Sequence, residues 1–254
     1  MLKNIFMTLA GSAFVFAGLT ACDDMLGNNE HEQWLAERHA AALVEGQEAL
    51  AACIETRCKT LNIDGMALED YTVINDLSHV TVLMASRTTL DDLADISGMA
   101  QLKELHITNT EISDLGGLAA FPQLQVLHFQ NLPNGVAIAP IGSLTNLTEL
   151  ALGSVSGQAD LSFVQNLRRL EKLKLSWSGT VADFAFLRGH PALKVLDIDG
   201  GLPTDQSALL TLPRLESIFV MLGMGFGGAP LDAEVRQELE RRGTFSYNEA
   251  IVVC

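Results

Sequence analysis

Residues 102–124 read LKELHITNTEISDLGGLAAFPQL, and the spacing of their apolar letters decides the fold. Leu102, Leu105 and Ile107 form one pattern: apolar, two variable residues, apolar, one variable residue, apolar. The alternation of Leu105 and Ile107 suits a strand that turns every second side chain inward. After it, Ile112, Leu115, Leu118, Phe121 and Leu124 fall at every third position. That spacing suits a tight helical or 3-10 return, where side chains three apart share one face.

The same unit recurs on both sides. Its first apolar position is held by Cys58, Val80, Leu102, Leu124, Leu147, Leu170, Leu193 and Leu215, at spacings of 22, 22, 22, 23, 23, 23 and 22 residues. The second is Leu61, Leu83, Leu105, Leu127, Leu150, Leu173, Leu196 and Ile218, and the third is Ile63, Ala85, Ile107, Phe129, Leu152, Leu175, Ile198 and Val220. All 24 places are apolar or cysteine in a chain that is 48% hydrophobic, so the register is set by pattern and not by bulk composition. This arrangement resembles the leucine-rich-repeat family in its 22-residue bacterial form, over residues 58–222. The resemblance implies an α/β solenoid of about eight repeats with parallel strands on a concave face. One departure concerns the family's asparagine position, three residues after the third apolar place. Here it holds Met66, Thr88, Thr110, Leu132, Val155, Ser178 and Gly201. Thr and Ser hydroxyls still reach the backbone of the turn, whereas Met, Leu and Val have nothing to offer it.

A solenoid exposes core at both ends unless capped. Residues 30–57 read as an N-terminal capping helix with Trp34, Leu35, Leu43, Leu50 and Ile54 as its buried positions. Residues 223–254 read as a C-terminal helical cap, with a helix from Pro230 to Arg242 and Phe245, Tyr247 and Ile251 to Val253 laid against the last coil.

The first 21 residues are set aside as a targeting segment. Lys3 precedes an apolar run to Leu19, too short for a membrane span, and the run ends at Leu19-Thr20-Ala21-Cys22. Those four residues resemble the lipobox of bacterial lipoproteins, which implies lipidation at Cys22, a tether over 22–29 and attachment to a membrane of the cell envelope. Asp23 resembles the enteric signal for retention in the inner membrane. Cleavage before Cys22 removes Lys3 and takes the net charge from -15 to -15 - 1 = -16. So acidic a chain is a poor match for nucleic acid or for an electrostatic grip on anionic lipid.

In an oxidising compartment, Cys53 and Cys58 fall where the cap meets the first coil, either as a disulfide or as two buried thiols. Cys254 lies roughly 35 Å away at the strand spacing of a sheet, out of reach of both. The run Gly223-Met224-Gly225-Phe226-Gly227-Gly228 matches a dinucleotide fingerprint in letters only, since no βαβ unit surrounds it. No catalytic motif and no cofactor site is apparent, so the expectation is a binding protein and not an enzyme.

The variable places beside the strand leucines form the expected binding face. They include Arg87, His106, Asn109, His128, Asn131, Lys174, Trp177, Asp197, Asp199 and Phe219, a polar and aromatic set suited to a protein partner. His106 and His128 occupy the same place in successive strands, beside Glu104, which leaves zinc or carbohydrate as a second reading. A third is a scaffolding lipoprotein that self-associates through Cys254.

Overall fold

In the computed structural model, the described residues are 27–131, 133, 135–156, 159–178, 183–222, 230–243 and 245–251. Cys22, Cys254 and the glycine run at 223–228 therefore lie outside the described residues. The elements begin with helix α1 (Gly27–Thr56). Strands β1 (Thr60–Asn62), β2 (Val82–Met84), β3 (Glu104–His106) and β4 (Val126–Phe129) are short. Strands β5 (Glu149–Ser156), β6 (Lys172–Ser178), β7 (Val195–Asp199) and β8 (Ser217–Leu222) are longer, and helix α2 (Ala233–Arg241) and strand β9 (Ser246–Ile251) follow. A 3-10 turn returns the chain between each pair of strands from β1 to β8.

All nine of these strands lie in one sheet in chain order, and every neighbouring pair is parallel. Leu61, Leu83, Leu105, Leu127, Leu150, Leu173, Leu196 and Ile218 stand side by side as one row across β1 to β8. That row is buried throughout, and the return turns press Leu90, Leu93, Ile96, Met99, Leu115, Leu118 and Phe121 against it from the other side. One continuous apolar core thus runs between the sheet and the turns.

Each turn needs its first backbone N–H satisfied, and aspartate does this in six of them. Asp70, Asp92, Asp114, Asp160, Asp183 and Asp205 accept from the amides of Thr72, Ala94, Gly116, Ser162, Ala185 and Ser207 at 2.7–2.9 Å. Two strand exits are closed by the threonine hydroxyls that stand at the family's asparagine position. Thr88 donates to the Ala85 carbonyl at 2.8 Å and Thr110 to that of Ile107 at 3.0 Å, both buried.

Residues 27–38 belong to a first unit and 39–254 to a second. In the first, Trp34 and Leu35 are exposed, which corrects their assignment as core; Arg38 sits 5.6 Å over the Trp34 ring. In the second, α1 buries a different stripe. Gly46 and Cys53 are buried, Ala49 and Leu50 pack on the core, and a Cβ on Gly46 would overlap the Ala67 carbonyl. The Ala67 amide donates to the Ala42 carbonyl at 3.0 Å, so helix and first coil share a backbone bond. Ile54 is exposed, again contrary to the sequence pattern, while Leu43 is half-buried. Cys53 and Cys58 are joined by a disulfide across a Cα separation of 4.8 Å.

At the other end the cap is more than a helix. Asp232 caps α2, whose Val235 and Leu239 are buried, and β9 then pairs with β8 from Ser217↔Ser246 to Leu222↔Ile251. The terminal segment is thus a ninth strand continuing the sheet. No described helix is long and apolar enough to cross a membrane.

Candidate binding face

A strand with one side buried presents its alternate residues on the other. Asn62, Met84, His106, His128, Ala151, Lys174, Asp197, Phe219 and Asn248 form a single line across the nine strands. Beside it runs the line Thr60, Val82, Glu104, Val126, Glu149, Lys172, Val195, Ser217 and Ser246. Five of the residues singled out from sequence, His106, His128, Lys174, Asp197 and Phe219, therefore share one row and are half-buried. Asp199 stands two positions further along β7, opposite Ser176, whose hydroxyl lies 3.4 Å from its carboxylate.

The centre of the face is a linked polar cluster. The His106 and His128 rings meet edge to face with centroids 4.4 Å apart. His128 Nε2 lies 3.0 Å from Glu149 Oε1, which also accepts from Lys172 Nζ at 2.9 Å. His106 Nε2 is 3.8 Å from Glu104, and Lys174 Nζ is 3.5 Å from Asp197. Burial, reinforced by the neighbouring His128, holds the His106 imidazole below its ordinary value against the opposing pull of Glu104. Burial acts to raise the Glu149 carboxyl, but its bonds to Lys172 and His128 outweigh that, and it stays below the usual range. The result is a pre-ordered set of donors and acceptors with a neutral His106 at pH 7. Among the described residues, no three His, Cys, Asp or Glu side chains converge as a metal site.

Three of the expected face residues do something else. Arg87, Asn109 and Asn131 lie just past the strands with left-handed backbone, φ 55° to 56°, and Ser154 has the same backbone (φ 56°) inside β5. Asn tolerates that conformation better than other side-chain-bearing residues, which gives it a structural reason to be there. Asn131 donates to Asn109 at 2.5 Å, and Ser154 donates to Asn131 at 3.1 Å, so the three make an exposed ladder along one margin of the face. Trp177 pairs with Val155 through its backbone in β6, and its side chain lies outside the described part.

The sequence pattern also hid His190. It fills the place that Leu77, Met99, Phe121, Leu144, Leu167 and Leu212 hold in the other coils, fully buried, with Nε2 3.0 Å from the Leu167 carbonyl. Its three-residue offset from Leu193 was the one signal the letters carried. A cleft of about 390 Å³ lies apart from the face, between the last coil and its cap. Of the three cations that line it, Lys194 and Arg242 are paired with Glu171 and Glu238, and Arg214 is the third.

No protein-family model matches the chain, and no curated protein matches it. Solved structures do. An internalin C2 from Listeria monocytogenes is similar with a TM-score of 0.58 and 18% identity, over 76% of this chain and 80% of that one. An internalin (inlF) from the same organism gives 0.53 and 22%, over 76% of this chain and 62% of that one, so this chain spans less than two-thirds of it. The parallel sheet, its leucine register and these likenesses make the chain an α/β leucine-rich-repeat solenoid.

Proposed function

We propose that this chain is a lipid-anchored protein of the bacterial cell envelope that binds a protein partner on the open face of its sheet. The observation that carries the binding half is the row from Met84 to Phe219. Its outward side chains, apart from the small Ala151, are half-exposed, and several are held by their own ion pairs and hydrogen bonds above a closed core. Such a surface loses little side-chain freedom on binding, which favours association. Repeat frames vary their outward residues without disturbing the core, so this row sets the partner. Binding and not catalysis is the reading, with no cofactor required. Replacing His106 and Lys174 by Ala should abolish capture of the partner at unchanged melting temperature. Unchanged capture would overturn the face as the site.

The anchoring half rests on the sequence alone, at Cys22 with Asp23 behind it. A Cys22→Ala chain should lose incorporated palmitate and pass from the membrane to the soluble fraction of a bacterial host. Retention of both lipid and membrane association would refute it.

A further inference from the structure

We infer that residues 39–56 of α1 offer a second docking surface on the side turned away from the first coil, and that it takes an amphipathic helix of a partner with basic flanks. The large apolar side chains left exposed among the described residues are Trp34, Leu35, Val44, Ile54 and Val73, and four of these five are on α1. Scattered exposed apolar residues are ordinary. Trp34 and Leu35 belong to the first unit, whereas Val44 and Ile54 share one stripe of residues 39–56.

Within residues 39–56, Ala40, Val44, Gln47, Ala51 and Ile54 are all exposed and follow each other at steps of four, three, four and three. That is the alternation of a helix–helix seam. Val44 and Ile54 are the anchors, 56% and 54% exposed and roughly 15 Å apart at the rise of a helix. Ala40 and Ala51 are small enough for a second helix to approach closely. Half-buried Leu43 and Leu50 widen the band on the side toward the first coil. The core of the solenoid does not need this stripe, since α1 meets it through Gly46, Leu50 and Cys53. Residues 39–56 are therefore apolar on two sides, and among the described residues only one of them is covered.

Charge decides among possible occupants. Residues 39–57 carry Glu45, Glu48 and Glu55 against one base, Arg57, a net of 1 - 3 = -2. A second copy would set acid against acid, and an anionic membrane would be repelled. A helix with Lys or Arg beside its apolar seam meets both features at once. This surface is independent of the sheet face and stands or falls apart from it.

The test uses the full chain and a labelled synthetic helix with Leu at its seam positions and Lys on both flanks. A second peptide has the same charge with Ser in place of Leu. The Leu peptide should bind more tightly than the Ser peptide, and Val44→Glu with Ile54→Glu should weaken it roughly tenfold. Both side chains are exposed, so circular dichroism and melting should not change. The two added carboxylates would strengthen a purely electrostatic association, so weakening reports the apolar seam. Equal binding of the two peptides, or tighter binding by the variant, would overturn the proposal. So would a concentration-dependent dimer, or flotation with anionic vesicles, that the same variant abolishes, because the occupant would then be a second copy or a membrane.

Discussion

The first four strands and the next four are built on the same leucine row but end differently. In the first group three of the four units are 22 residues long, strands run three or four residues, and the exit is a left-handed residue at Gly65, Arg87, Asn109 or Asn131. A threonine hydroxyl closes two of these exits. In the second group strands run five to eight residues, and Ser154 becomes an irregularity within β5 between Leu152 and Val155. Charge divides at nearly the same place. Residues 1–167 hold 20 of the 31 acids and 6 of the 16 bases, so 6 - 20 = -14 of the -15 lies there. The remaining 10 bases and 11 acids nearly balance. The core is thus common property of both groups, while exits and charge are local and free to diverge.

If that division is right, equal core truncations should cost alike in the two groups. Leu105→Ala in β3 and Leu173→Ala in β6, both fully buried, should each lose about 2–5 kcal/mol in urea unfolding. A large difference would show that the groups do not share one core. The ends should differ next. Among the described residues only the first coil is stapled, and replacing Cys53 and Cys58 by Ser should cost about 2 kcal/mol, the closure entropy of so short a loop. Thr110→Val keeps the shape but strips the Ile107 carbonyl of its buried donor, at about 1–2 kcal/mol.

The smallest effect is a pH dependence, to which His106 in the first group and His190 in the second both contribute. Burial holds the His190 imidazole below its ordinary 6.5, against the opposing pull of the Leu167 carbonyl. The folded chain therefore binds fewer protons there than the unfolded chain. Its contribution is fully present above pH 6.5 and declines as pH falls from 6.5 toward the depressed folded value. His190→Leu, which restores the apolar letter of the other coils, should lessen the fall in melting temperature as pH drops below 6.5. An unchanged slope would place the acid sensitivity elsewhere.

Most of the frame was legible because burial imposes a period, and letters such as Leu105 and Leu173 report burial directly. The meeting of His106 and His128 was legible for the same reason, since equal places in successive units become neighbours. What stayed hidden depends on geometry that letters do not carry. Asn109 and Asn131 look like recognition residues until their backbone is seen to be left-handed. The six capping aspartates look like solvated charge, because nothing in the letter tells an amide-bonded carboxylate from a free one. Strand β9 lacks the repeat's leucine pattern and is defined by its backbone pairing with β8. In α1 two apolar stripes overlap in sequence, and a single amphipathic face drawn through Trp34, Leu35 and Ile54 mixes them.

The most direct test of the sheet face is photocrosslinking in the native envelope, with a photoreactive residue placed singly at position 106, 128 or 119. His106 and His128 lie on the open face, whereas Ala119 is exposed on a return turn. One discrete protein adduct from 106 and 128, with none from 119, is the expected result. Adducts from 119 as strong as those from 106 and 128, or none from either histidine position, would contradict binding through the sheet.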